Sequence, residues 1–131
     1  MPNPTLQISP ASRRAGLIIS GLVSLFLLVD AAMKVVKAAP VIETMAQLGY
    51  PESTIVGIGI ALLASTILYL IPRTAPLGAI LLTGYLGGAV ATHVRVSAPA
   101  FNFAFAISFG ILAWLGLWLR NVRLRQILPI A

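Results

Sequence analysis

The sequence predicts an all-α protein, a bundle of four transmembrane helices with both ends in the cytoplasm. Of its 131 residues 59% are apolar and only 9% are charged, whereas a soluble fold usually carries about 25% charged residues. Four apolar segments each approach the roughly 20 residues that a helix needs to cross about 30 Å of hydrocarbon. Lipid offers no partner for backbone polar groups and four short strands cannot close a barrel, so each segment must be helical.

Proline-containing turns separate the four predicted spans. Pro40 follows the first span, Pro72 and Pro76 flank a tight turn between the second and third, and Pro99 precedes the fourth. Ser53, after a turn at 48–52, is predicted to cap the second span. The spans are residues 15–36, 54–71, 75–92 and 101–119.

The spans form one domain, residues 15–125. We expect a flexible N-terminal segment at 1–14, because it has three prolines and no apolar period. Residues 126–131 are expected to form a C-terminal tail.

The basic residues indicate the orientation in the membrane, since loops rich in Lys and Arg stay cytoplasmic. An N-in, C-in topology places six basic residues inside and three outside: Arg13, Arg14, Arg73, Arg120, Arg123 and Arg125 against Lys34, Lys37 and Arg95. The three acids then share the outer side with the three basic residues, and the whole net charge of +6 faces the cytoplasm. Anionic lipid in the inner leaflet fits this charge distribution.

Composition excludes some classes of function. The nine basic residues lie around long apolar runs, which suits topology anchors better than a phosphate-binding groove, so nucleic-acid binding is excluded. The chain has no cysteine, so it can form neither a disulfide nor a thiolate metal site. A redox role would need a bound or borrowed cofactor.

Small residues at four-residue spacing are candidates for helix packing, because helices in lipid associate where their backbones can approach closely. The first span carries Gly16, Ser20 and Ser24 on one face, and the third carries Gly84 and Gly88 on another.

Asp30 and Lys34 are ionisable residues in the outer part of the first span. Their spacing allows an i,i+4 ion pair, which lowers the cost of burying either charge. Two interpretations stay open: a functional site, or a structural pair in which the lysine extends to the outer headgroups.

Three further polar residues lie near the outer end of the third span. Tyr85 and His93 share a helix face, and Arg95 follows them. No acid stands in ligand spacing with His93, so we expect no metal site. A neutral imidazole can donate or accept a hydrogen bond, so His93 is a candidate contact for a quinone or for a proton relay.

The stretches 68–73 (LYLIPR) and 82–95 (LTGYLGGAVATHVR), with LGYP at 48–51 and Lys34, resemble DoxX-like membrane proteins. The resemblance covers about residues 16–125 and implies a four-helix bacterial inner-membrane protein. The wider group includes a small subunit associated with thiosulfate:quinone oxidoreductase and relatives linked to respiratory or oxidative-stress assemblies. Many DoxX-like members carry a glutamate in the second span near Leu62, where this chain is apolar.

Three functions compete. The first is an accessory or anchoring subunit of a membrane assembly, quinone-linked, redox or stress-related, with another membrane protein or a second copy of the chain as partner. The second is a binder or transporter of a small molecule, lipid or quinone in a pocket between the helices. A stand-alone enzyme is least favoured, because no nucleophile and base occur with an orienting group.

Overall fold

A computed structural model describes residues 7–128 of the chain, and this range consists of helices and turns without a strand. Four of its helices are long and apolar enough to cross a membrane, so the predicted all-α fold is confirmed. In chain order the helices are α1 (Pro10–Val35), α2 (Ala39–Gln47), α3 (Ile55–Leu70), α4 (Ala75–Arg95), α5 (Ala100–Arg120) and α6 (Val122–Ile127), with a 3-10 turn at Glu52–Thr54 before α3.

The four long helices form an antiparallel bundle. Helix α1 packs against α3 and α5, and α4 packs against the same two helices. The start of α1 meets the end of α5, where the Ser12 hydroxyl donates to the Leu119 carbonyl at 2.9 Å. The start of α1, the end of α5 and α6 together carry five arginines at this end of the bundle, so we call it the arginine end. The opposite end, which carries α2, is called the distal end.

The half of the bundle near the arginine end is closely packed. A Cβ added to Gly16 of α1 would lie 2.6 Å from the Gly116 carbonyl oxygen of α5, and one added to Gly78 of α4 would collide with the Tyr69 backbone of α3. Neighbouring helices therefore approach to backbone contact at both points, which maximises the dispersion contacts that hold helices together in lipid.

A buried hydrogen-bond chain reinforces this half. Tyr69, which is fully buried, donates to the Ala113 carbonyl at 2.6 Å. Its one proton is used there, so Ser20 donates to the Tyr69 oxygen at 2.9 Å. The Arg120 Nε–H donates to the Ser20 oxygen at 3.1 Å. Side chains of α1, α3 and α5 are thereby joined around one tyrosine.

Two helix starts differ from the prediction. Helix α1 begins at Pro10, because the Ser9 hydroxyl accepts a bond from the Ser12 amide at 3.1 Å and proline suits the first turn. Residues 10–14 of the predicted flexible segment are therefore helical. Ser53 does not cap α3: it lies within the 3-10 turn, and the Ile55 amide bonds to the Glu52 carbonyl instead. The proposed flexibility of 1–6 falls outside the described residues.

The described part of the predicted tail is helical up to Ile127. Gln126 and Ile127 continue α6, which begins at Val122 after an N-cap at Asn121, whose side chain accepts from the Leu124 amide at 2.9 Å. Residues 129–131 lie outside the described range.

Candidate functional site

The half of the bundle near the distal end contains a cavity of about 620 Å³ that is open on one side. Its walls come from α1, α3, α4 and α5, with α2 and the following loop at the distal end. On α4 the wall includes Gly84 and Gly88, where an added Cβ would meet nothing within 4 Å. The space exists because these positions lack side chains and no neighbouring helix fills the gap. Its volume falls within the range of about 300 to 1,000 Å³ that is usual for small-molecule sites.

One wall of the cavity is aromatic. Phe26 of α1 stacks on Phe109 of α5 with ring centroids 4.7 Å apart. Phe105 packs by its edge against both rings, at 5.4 Å and 4.7 Å, and Phe101 adjoins Phe105 at 5.9 Å. Such pairs fix ring orientations beyond what area burial alone achieves. The result is an ordered apolar surface one turn of helix from polar groups.

The ion pair of Asp30 and Lys34 lies on the α1 wall. The Lys34 Nζ donates to the Asp30 Oδ1 at 2.6 Å, and the lysine side chain is only 11% exposed, compared with 34% for the aspartate. Lys34 packs against Gly59 of α3, where an added Cβ would lie 2.7 Å from the lysine Cβ. The missing side chain at Gly59 thus makes room for a buried lysine, and its charge is neutralised by the neighbouring carboxylate.

His93 presents one ring nitrogen for a further contact. Its Nδ1 lies 2.7 Å from the Ala89 carbonyl oxygen. A carbonyl only accepts, so Nδ1 carries the proton, and in the neutral ring Nε2 is left as a hydrogen-bond acceptor. The helix backbone therefore sets the tautomer of a histidine that lines the cavity.

Tyr50 joins the loop after α2 to α4. The Thr92 hydroxyl donates to the Gly88 carbonyl at 2.8 Å. The Tyr50 hydroxyl therefore donates to the Thr92 oxygen, at 2.9 Å. This chain holds the loop over the distal end of the cavity and leaves the Tyr50 oxygen able to accept a bond.

Four of the five predicted site residues line the cavity together: Asp30, Lys34, Tyr85 and His93. Arg95 does not. Its side chain is exposed, and its Nη2 donates to the Leu48 carbonyl at 2.8 Å. Since that bond joins α4 to the loop after α2, the position of Arg95 suits a loop clamp rather than a ligand contact.

The sequence prediction missed the aromatic wall and α2. The phenylalanines at 101, 105 and 109 recur at four-residue spacing, which is the signal that places them on one helix face. In α2, Pro40 lies in the first turn and the buried Val41 and Met45 are four apart. Both residues pack with Ile55 in a small core, so α2 closes the distal end where a longer loop was expected.

The two predicted packing stripes have different surroundings. Gly16, Ser20 and Ser24 are all buried in α1, and the first two meet Gly116 of α5. Gly84 and Gly88 are exposed. They line the cavity and do not lie in a contact between helices. The physical reason is that no neighbouring helix approaches them, so the absence of a side chain leaves open space.

The comparisons with known proteins identify a family. Over residues 18–116 the chain matches the model of the DoxX-like family, which is the resemblance that the third-span residues suggested. Searches of curated proteins and of solved structures find no match. Leu62, the position near which the resemblance implied a glutamate in many members, is fully buried in the core. The match covers most of the chain, and its helices can span a bilayer: this integral membrane protein belongs to the DoxX-like family.

Proposed function

We propose that the protein binds a small amphiphile of the quinone type, with an uncharged, hydrogen-bonding ring as its head, in the distal cavity. One observation carries the proposal: about 620 Å³ of space lies between a phenylalanine wall and a polar wall. A flat ring can stack on Phe26, Phe105 and Phe109. Its carbonyl oxygens can accept from Lys34 or from the Tyr85 hydroxyl.

The charges on the cavity wall favour an uncharged head. Lys34 is paired with Asp30 at 2.6 Å, so the wall offers donors with little net charge. An anionic ligand would have to compete with the Asp30 carboxylate, and burying an additional unpaired charge in a membrane helix bundle is costly. A quinone ring is uncharged, so it needs hydrogen-bond donors and no positive charge to balance it.

The test compares two variants: one places a large side chain in the cavity, and the other places the same side chain at the neighbouring glycine, outside the cavity. Gly88 lines the cavity, whereas Gly87 does not, and an added Cβ meets nothing at either position. Gly88→Leu and Gly87→Leu therefore add the same side chain one residue apart. Thermal unfolding in detergent is followed with and without decylubiquinone, and lipids that co-purify are identified by mass spectrometry.

We expect decylubiquinone to stabilise the unsubstituted protein and Gly87→Leu alike, by about 2.7 kcal/mol at a concentration 100 times its Kd. Gly88→Leu should fold and show no such stabilisation. Equal responses of the two variants, or no response of the unsubstituted protein to any quinone, would contradict the proposal.

A role as an accessory or anchoring subunit of a redox assembly is supported by the family and by the composition. The chain has no cysteine, so it supplies neither a thiol nor thiolate ligands for an iron-sulfur cluster. A bound quinone would exchange electrons with a partner membrane protein. Solubilisation in a gentle detergent followed by native mass spectrometry tests this role, and reproducible recovery of the protein alone would contradict it.

We infer that the arginine end faces the cytoplasm of a bacterium. The described residues 7–128 begin and end there, six of the nine basic residues of the chain lie at that end, and basic loops stay cytoplasmic. A fluorescent protein fused to either terminus should fold and fluoresce, whereas alkaline phosphatase fused to either should be inactive. An active phosphatase fusion would reverse the topology and place the cavity near the inner leaflet.

A further inference from the structure

A second apolar space, of about 590 Å³, lies on the lipid-facing side of the bundle between α4 and α5 and extends to α6. We call it the α4/α5 groove. Ile107 and Ile111 on its α5 side are 45% and 62% exposed, so the groove opens toward the hydrocarbon of the membrane. Along α5 it runs from Ala106 to Trp118, which corresponds to about 18 Å of helix.

The polar atoms of the α4/α5 groove are already paired. The Thr83 hydroxyl donates to the Ala79 carbonyl at 2.8 Å and accepts from the Trp114 Nε1 at 2.6 Å. The Trp118 Nε1 donates to the Leu128 carbonyl at 2.8 Å. The groove thus offers a hydrocarbon surface and no partner for a polar head, in contrast to the cavity with its ion pair, histidine and tyrosines.

The groove and the cavity share a thin wall. Leu86 and Ala106 line both spaces. The Leu86 side chain lies beside Gly110, where an added Cβ would be 3.7 Å from the leucine Cδ1. Leu86 and Ala106 therefore form the part of the wall that the two spaces share, and a leucine can change rotamer without moving a helix.

We propose that the α4/α5 groove holds the hydrocarbon tail of the same ligand whose head occupies the cavity, with the tail crossing from one space to the other beside Leu86. The inference rests on the proposed function and narrows the ligand to an amphiphile with a single long alkyl or isoprenoid tail. The apolar lining excludes the head from the groove, and the continuity at Leu86 and Ala106 connects the tail to the head.

The two tryptophans of the chain make the test direct, because Trp114 and Trp118 both line the groove. The protein in nanodiscs is titrated with decylubiquinone and with the same quinone carrying bromine at the tail end, which quenches tryptophan on contact. The tail-less ring, ubiquinone-0, is titrated in parallel. Gly110→Leu fills the groove beside Leu86, and Gly87→Leu serves as its matched control.

The brominated tail should cause additional quenching that saturates at the binding stoichiometry of the ring, in the unsubstituted protein and in Gly87→Leu. Gly110→Leu should abolish this saturable component and weaken decylubiquinone binding by about tenfold or more, with ubiquinone-0 affinity unchanged. Circular dichroism checks that the variant folds. If it does not fold, saturable bromine quenching in the unsubstituted protein still decides the question.

The outcomes separate the two proposals. Decylubiquinone binding without any saturable bromine quenching would overturn the groove inference and leave the cavity as a head site. Equal weakening of decylubiquinone and ubiquinone-0 in Gly110→Leu would also overturn it, because the substitution would then act on the head. If neither quinone binds the unsubstituted protein, the proposed function fails and the groove inference with it.

Discussion

Replacement of Asp30 by asparagine should destabilise the bundle, because it removes the carboxylate that neutralises Lys34. Lys34 keeps its charge but loses the carboxylate 2.6 Å away. Lys34 as a whole residue is only 9% exposed, and it packs against Gly59 of α3. The ammonium would then be buried in the distal half of the bundle with an uncharged amide as its nearest partner, an arrangement that is strongly unfavourable.

The size of the effect follows from the geometry. Two unit charges 2.6 Å apart attract by about 6 kcal/mol at an effective dielectric constant of about 20 and by about 1.6 kcal/mol in water. The Asp30 side chain is 34% exposed, so screening places the coupling between these limits, at about 2 to 4 kcal/mol. Asp30→Asn should cost about 3 kcal/mol, and Lys34→Met about 1 to 2 kcal/mol, because the remaining carboxylate can be solvated from the cavity. With a coupling of about 3 kcal/mol, the double variant should be only about 1 to 2 kcal/mol less stable than the unsubstituted protein, since methionine replaces the lysine stem.

A double-mutant cycle by equilibrium unfolding in mixed detergent and SDS micelles measures the coupling. The matched control is the pair of Lys37 and Glu52, which is 3.5 Å apart with side chains 40% and 59% exposed. Screening should reduce the coupling of that exposed pair to a few tenths of a kcal/mol. If the two cycles give the same coupling, or if the double variant is as unstable as Asp30→Asn, the pair does not neutralise a buried charge and the reasoning is refuted.

Three further substitutions test the packing of the fold. Gly16→Ala should destabilise the protein by about 1 to 3 kcal/mol because its Cβ meets backbone, whereas Gly21→Ala, with nothing within 4 Å, should be neutral or stabilising in thermal unfolding. Tyr69→Phe should cost about 1 to 2 kcal/mol, since it removes the only hydroxyl that reaches the Ala113 carbonyl from α3; SDS titration would measure it. Ser97→Gly should raise the melting temperature, because a non-glycine residue with φ of 55° is strained by about 1 kcal/mol; an unchanged or lower value would contradict this.

The membrane fold could be predicted from the sequence because its causes are local to each span. Span length and apolar composition follow from the thickness of the hydrocarbon, and the ion pair of Asp30 and Lys34 follows from i,i+4 geometry. Helix ends were less predictable. At α1, a cap by Ser9 outweighed the low hydropathy of the first turn, and before α3 a 3-10 turn took the place of a cap by Ser53.

A pocket between the helices was one of the alternatives that the sequence offered, but the walls of the cavity could not be predicted, because they depend on distances between helices. Gly16 and Ser20 in α1 have the same spacing as Gly84 and Gly88 in α4. The first pair meets backbone and side chain of α5, and the second pair faces open space. A pattern of small residues indicates that another helix could approach closely. Whether a neighbouring helix does so depends on the tertiary arrangement.

The contrast between the two halves of the bundle has a physical consequence for the cavity. In lipid the hydrophobic effect does little to draw helices together, so an unfilled space persists only where other contacts hold the helices in place. The contact of Gly16 with Gly116 and the hydrogen bonds of Tyr69 supply such contacts near the arginine end. The distal half can therefore keep about 620 Å³ open without collapse of α4 onto α1. Because the lining of a void lacks partner atoms on one side, a ligand that fits the cavity restores dispersion contacts that the protein alone does not make.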